Sequence, residues 1–148
     1  TTDLTPRALR GMISSRLVQQ RDGLSVLFES FAFKRGVPTD ADFVFDARAL
    51  PNPYWQDKLR SQTGLDTEVI QFLERDARCL AFFAKLKDFI AGVLRDFDES
   101  DRSYMTIAIG CTGGQHRSVY LTEKLHRDLI TQFPAAQIRH RDLQEAGS

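Results

Sequence analysis

An α/β fold is predicted: a single-domain sandwich with a mixed, partly parallel sheet and a strand–phosphate loop–helix unit. Three observations point to it. Stretches such as "LSVLFESFAF", "DFVFDAR" and "SYMTIAIG" are apolar on both alternating faces and rich in β-branched or aromatic residues, as buried strands are. Between the second and third lies a long segment with helical spacing, and the connection from Asp46 to Tyr104 allows a right-handed crossover that makes two strands parallel. The third strand then runs through paired glycines into another helical pattern.

The elements follow in order. "DLTPRALRGMISSRLVQQ" places Leu9, Met12, Ile13 and Leu17 at helical spacing, with Thr5 before Pro6 as a start signal. Gly23 breaks this helix ahead of the first strand. "KRGVPTDA" is a loop punctuated by Gly36 and Pro38, and the second strand ends at Asp46. "ALPNPYW" is irregular, because Pro51 and Pro53 remove donors and fix the chain. "SQTGLDTEV" is a turn followed by a helix start. From Thr67 to Phe97 the pattern Leu80, Phe83, Leu86, Ile90, Leu94, Phe97 predicts one long or two abutting helices. Val119 to Phe133 reads as a helix stopped by Pro134, and "AQIRHRDL" as a last strand.

Composition bounds the function. A chain of 148 residues is one ordinary domain, and 20 basic residues against 20 acidic give no global support for nucleic-acid binding. No apolar run approaches the roughly 18 residues of a spanning helix, and there is no signal-peptide core. Cys79 and Cys111 therefore read as reduced thiols of a cytoplasmic protein, Cys79 in the core. The histidines lack ligand spacing, so no metal is expected, and His126 reads as a surface residue. His116, His126 and His140 fall in the last third with Arg117, Lys124, Arg127, Arg139 and Arg141. That distribution fits either a solvated helix face or an anion-binding region.

In sheets of this class, ligands collect at the carboxyl ends of strands. There "GCTGGQHRS" offers Gly113 and Gly114 for close backbone approach, a helix N-terminus, and Arg117 with Thr112, His116 and Ser118 as donors to a phosphate. Neither a Walker motif nor a dinucleotide fingerprint is present. The alternative is a tight turn whose glycines serve geometry only. Cys111 and Arg117 are also spaced as in cysteine-dependent phosphatases, with Asp46 as the candidate acid, although Gly110 stands where those enzymes carry His. Cys111 otherwise reads as a small buried residue. Asp46, Arg48 and Asn52 offer polar groups for a sugar and Tyr54 and Trp55 an aromatic wall, unless this is a Pro-rich turn with Trp55 buried.

Taken together, "FESFAFKRGVPTDADFVFDARALPNPYW", "TGLD" and "AIGCTGGQHRSVYLTEKL" resemble the C-terminal domain of the RNase adapter protein family (RapZ, also called YvcJ), from about Gly23 to Arg141. The resemblance implies that residues 1–20 are the helix following an absent P-loop domain, to which ATP or GTP would belong, leaving this chain without a cofactor. Residues 21–148 would be a non-enzymatic, sugar-phosphate-sensing and RNA-binding domain, with a fold likened to part of phosphofructokinase. Its ligand would be glucosamine-6-phosphate, an amino-sugar phosphate. Its partners would be small regulatory RNA and ribonuclease E, acting on glucosamine-6-phosphate synthase, and it would self-associate into a homo-oligomer. Thr112, Gly113, Gly114, His116, Arg117 and Ser118 would hold the phosphate, and Asp46, Arg48 and Asn52 the sugar. Enterobacterial relatives carry His where this chain has Arg35 and Tyr54, and a lysine-rich tail where it has "QEAGS". RNA contacts would fall to Lys124, Arg127, Arg139, His140 and Arg141, a weaker patch.

Overall fold

The computed structural model describes residues 24–100 and 102–144. The N-terminal helix read over residues 1–20 lies outside them.

Strands β1 (Ser25–Ala32), β2 (Phe43–Asp46), β3 (Tyr104–Cys111) and β4 (Gln137–His140) form a sheet in the order β2-β3-β1-β4. All its pairings are parallel, where the sequence predicted a mixed, partly parallel sheet. The difference lies in the connection between β1 and β2, which contains only a 3-10 turn (Phe33–Arg35) and looks too short for a crossover. It suffices because β2 starts halfway up the sheet, with Phe43 level with Ile107 and Phe28. Asp42 fastens that entry point: its amide donates to Thr106 O at 2.9 Å, and its carboxylate accepts from Thr106 N at 2.8 Å.

Helices α1 (Asp57–Arg60), α2 (Thr67–Glu74), α3 (Ala77–Asp98) and α4 (Arg117–Leu129) complete the described elements, with a second 3-10 turn at Pro53–Trp55. The segment from Thr67 is thus two abutting helices. They part at Asp76, whose carboxylate accepts from Arg78 N at 2.8 Å and starts α3 as its N-cap. Val26 and Phe28 of β1 and Met105, Ile107 and Ile109 of β3 form one core with Leu73 of α2, Leu86, Ile90 and Leu94 of α3, and Leu121, Leu125 and Leu129 of α4. Leu80 is the exception to the expected α3 stripe and is exposed. Cys79 is in the core as expected, and burial pushes its thiol up to about 11. His126 is half-buried rather than on the surface. Its Nε2 lies 3.2 Å from Ala136 O and its ring stands edge-on to Phe28. Among the described residues no helix is long and apolar enough to cross a membrane.

Parallel pairing brings Ala32, Asp46 and Cys111 to the same end of the sheet. Two contacts fix what surrounds that end. Gly64 lies against the first turn of α4 so closely that a Cβ would stand 2.4 Å from His116 O and 2.5 Å from Tyr120 N. Asp142, just past β4, accepts from Ala32 N at 2.7 Å and from Arg141 at 2.8 Å, and Arg141 reaches on to Gly36 O at 2.7 Å. Burial pushes the Asp142 carboxyl up, but the hydrogen bonds from Arg141 and Ala32 outweigh it and bring it below its ordinary 3.8.

Gly64→Ala is therefore expected to lower unfolding free energy by about 1–3 kcal/mol, read as a lower urea midpoint at unchanged slope. A carboxyl whose folded pKa lies below its unfolded value adds stability above the unfolded pKa and loses it as pH falls through the folded one. Asp142→Asn should therefore destabilise at neutral pH, with the gap from wild type narrowing as pH falls through and below the ordinary carboxylate value of 3.8 in urea titrations.

Candidate functional site

Between Cys111 and Arg117 the chain turns from β3 into α4. Gly114 makes the turn in a left-handed conformation (φ 71°), pressed against Ala32 so that a Cβ would meet its backbone N at 3.1 Å. Four of the loop's carbonyls are occupied. Thr112 O accepts from Lys34 N (3.4 Å), Gly113 O from the Gln115 side chain (3.1 Å), Gln115 O from Gly64 N (2.8 Å) and His116 O from Tyr120 N (3.0 Å). Its amides are not: the N–H groups of Gly113, Gly114, Gln115 and His116 donate to nothing among the described residues. A loop with spent acceptors and spare donors is a receptor for an anion.

Arg117 opens α4 with a guanidinium that is 3 % exposed. Its NH1 donates to Arg48 O at 2.8 Å and Leu50 O at 3.0 Å, and NH2 reaches Thr112 Oγ1 at 3.5 Å. Its Nε is buried without any partner. His116 is buried beside it, and that burial lowers its pKa despite carbonyl contacts, so the ring is neutral at pH 7. Its Nε2 lies 3.2 Å from Leu59 O; donating there leaves Nδ1 an acceptor. His116 thus offers an anion its amide rather than its ring. Ser118 is wholly buried, with Oγ 3.1 Å from Cys111 Sγ and its amide donating to the same sulfur at 3.4 Å.

The "DARALPNPYW" segment divides. Asp46 and Arg48 hold each other, Nε to Oδ1 at 3.0 Å and NH2 to Oδ2 at 2.8 Å, and the Arg48 guanidinium lies 3.9 Å over the Phe33 ring. The hydrogen bonds from Arg48 keep Asp46 below the usual carboxylate range. Asn52 caps the 3-10 turn, its Oδ1 accepting from Tyr54 N at 3.1 Å. Tyr54 and Trp55 stand edge to face, 5.4 Å between centroids. Trp55 is 73 % exposed, which rules out a Trp55 buried beneath a Pro-rich turn.

These loops enclose a cavity of about 450 Å³. Of the residues read as ligands, Thr112, Gly113, His116, Arg117 and Asn52 line it, as does Cys111. Gly114, Ser118, Asp46 and Arg48 do not: Gly114 backs onto Ala32, Ser118 faces Cys111, and Asp46 and Arg48 are spent on each other. Gln115, Arg60, Lys34, Arg35 and Gln144 also line the cavity, although no residue-level signal singled them out as ligands. In sequence, "KRGVPTDA" shows only a loop punctuated by Gly36 and Pro38. Gln115 is the brace, its Nε2 donating to Asp142 O at 2.8 Å and its Oε1 accepting from Gln144 N at 3.1 Å.

The five residues read as an RNA patch are all engaged. Lys124 meets Glu74 (3.4 Å), Arg127 meets Asp128 (3.9 Å), Arg139 meets Glu29 (2.9 Å) and Arg141 meets Asp142 (2.8 Å). His140 lies between Ser30 (2.8 Å) and Glu123 (2.7 Å). Nor do they form one face. Lys124 turns toward α2 and lies over the Phe83 ring of α3, whereas Arg139 and His140 sit on β4 at the sheet edge.

The model of the RapZ C-terminal domain family matches residues 24–144. The chain is similar to proteins named nucleotide-binding protein from Marinobacter nauticus (50 % identical over 144 residues), Halorhodospira halophila (49 % over 143) and Cellvibrio japonicus (45 % over 146). The alignments cover 97, 97 and 98 % of this chain but 49, 50 and 49 % of those proteins, so it spans about half the length of the relatives it matches. With the match running from just before β1 to just past β4, this chain belongs to the RapZ C-terminal domain family.

Proposed function

We propose that this domain is the ligand-sensing part of a regulatory adapter protein and that its cavity binds an amino-sugar phosphate, glucosamine-6-phosphate being the first ligand to test. One observation carries the reading: unpaired amides from Gly113 to His116 stand beside a buried Arg117 whose Nε has no partner. A phosphate oxygen cluster would supply the acceptors that the amides lack, beside the positive charge of Arg117. The sugar would lie toward Asn52, Tyr54 and Trp55, an apolar wall with one amide in it. The domain acts by binding, not by turnover, and couples occupancy to small regulatory RNA, ribonuclease E or another protein, as a homo-oligomer in the cytoplasm. The relatives' nucleotide-binding names describe chains about twice as long, and ATP or GTP is assigned to the half this chain does not match.

Cys111 gives a second reading some footing, because the residue lines the cavity and its sulfur accepts a hydrogen bond from the start of α4. A phosphatase also needs an acid for the leaving group. Asp46 is ionised, paired to Arg48 and off the wall, and no other carboxylate lines the cavity among the described residues. Sensing is therefore favoured over hydrolysis.

Glucosamine-6-phosphate at a hundredfold excess over its Kd should stabilise the protein by about 2.7 kcal/mol, several degrees in a thermal melt, with inorganic phosphate weaker and glucosamine silent. A silent glucosamine-6-phosphate would refute the assignment. Gly113→Ala, whose Cβ meets nothing within 4 Å, should leave the unliganded melt unchanged yet abolish most of the ligand shift. Cys111→Ser should keep the shift, and wild type should release no inorganic phosphate from the ester; turnover that vanishes in this variant would establish the phosphatase instead.

A further inference from the structure

We propose that Gln115 is a positioning residue that aims the amides of the anion loop, and that it couples occupancy of the loop to the docking of residues 142–144. This rests on the phosphate-binding reading above and names how that site is held and how its occupancy is passed on.

In a trans peptide unit the carbonyl and the N–H point in opposite directions, so a bond that pins one aims the other. Three units of the loop are pinned through their carbonyls. Thr112 O accepts from Lys34 N at 3.4 Å, Gly113 O from Gln115 Nε2 at 3.1 Å, and Gln115 O from Gly64 N at 2.8 Å. These bonds aim the N–H groups of Gly113, Gly114 and His116 away from the groups that hold the carbonyls. Two of the three pins are backbone amides. The third is a side chain, and it holds the unit between the two glycines. No Cβ on either side of that unit resists a flip of the peptide plane, so it is the one that most needs holding.

The Gln115 carboxamide is fully committed to this task. Its two N–H hydrogens serve Gly113 O and Asp142 O, the latter at 2.8 Å, and its Oε1 accepts from Gln144 N at 3.1 Å. Although Gln115 lines the cavity, both its donors are spent, so it acts on an anion through the loop and not by contact. Its rotamer is chosen by residues just past β4, and these are anchored in turn, Asp142 accepting from Ala32 N at 2.7 Å. Undocking of residues 142–144 would remove two of the carboxamide's three partners. The peptide between the glycines would then hang on one bond from a side chain free to turn. An anion that prefers the aimed amides therefore favours the docked state by as much as docking favours the anion.

The test is calorimetric titration with glucosamine-6-phosphate, joined to NMR hydrogen exchange at the Gln144 amide, on the folded chain as wild type and as Gln115→Met. Methionine keeps the length of the side chain and removes its hydrogen bonds. In wild type, saturating ligand should slow exchange at Gln144 by about three- to tenfold, the equivalent of one hydrogen bond. Gln115→Met should bind about three- to tenfold more weakly, and exchange at Gln144 should no longer respond to ligand. Gln144→Pro leaves Gln115 in place but removes the N–H that Oε1 accepts; it should also weaken binding, and it carries the test if Gln115→Met does not fold. Unchanged affinity in either variant overturns the proposal. So does exchange at Gln144 that ignores ligand in wild type, or that still responds to it in Gln115→Met. If wild type binds neither glucosamine-6-phosphate nor inorganic phosphate, the phosphate-binding reading itself fails; binding that is indifferent to both variants fails only the positioning claim.

Discussion

A buried cation with no carboxylate of its own organises this end of the molecule. Arg117 is satisfied on one side by two backbone carbonyls and on another by a threonine hydroxyl at the limit of hydrogen-bond reach, while its Nε has nothing. Carbonyl dipoles ease the burial of a guanidinium but leave its charge uncancelled, and a buried charge without a counter-ion is costly unless something supplies one. Asp46 feels the charge yet spends its oxygens on Arg48. The empty acceptor role at Nε and the empty acceptor roles at the neighbouring amides therefore describe the same missing partner. A neutral ligand would satisfy the hydrogen bonds but not the charge, which is why the proposed ligand is an anion.

The sheet makes this arrangement stable without ligand. Parallel register brings β1, β2 and β3 out at one level, and each following loop is fastened to another: Ala47 N to Gly110 O, Lys34 N to Thr112 O, Gly64 N to Gln115 O. Gly110 permits a further close approach, since a Cβ there would stand 2.4 Å from the Phe31 ring. Gln115 and Asp142 then tie the exit of β4 to the same loop. A receptor whose donors are held in place before the ligand arrives loses little entropy on binding.

Much of this was legible in the chain and some of it could not have been. Strands β1 and β3 are apolar on both faces because both faces are covered, and that pattern survives in one dimension. Glycines between a strand and a helix likewise announce an anion loop. Direction was not legible. Residues 112–118 all lie in one short loop, but whether a side chain faces the cavity depends on the turn at Gly114, which points Arg117 inward to the site and Ser118 toward Cys111. The Asp46–Arg48 pair looked like a gripping group because sequence cannot reveal that the two grip each other. Lys34 and Arg35 arrive from a different strand, so only the folded chain sets them beside Thr112. The basic residues of the last third were visible as charges, whereas their acidic partners, Glu29 and Glu74 among them, come from elsewhere in the chain.

The same guanidinium gives ligand occupancy a way out of the pocket. Arg117 is bonded to the carbonyls of residues 48 and 50, at the head of the segment that carries Asn52, Tyr54 and the exposed Trp55. A ligand can shift a conformational equilibrium only by as much as it prefers one state over another. Under the proposed reading, an anion beside Arg117 would favour the state in which the side chain stays inward, and in that state its NH1 holds the 48–50 turn. The aromatic rim is therefore stiffened by an event several residues away, through two hydrogen bonds that lysine, with one compact ammonium in place of a fork, would not reproduce together with a free inward-facing donor. Recognition of the anion and ordering of the surface that any partner would meet are thus consequences of one side chain.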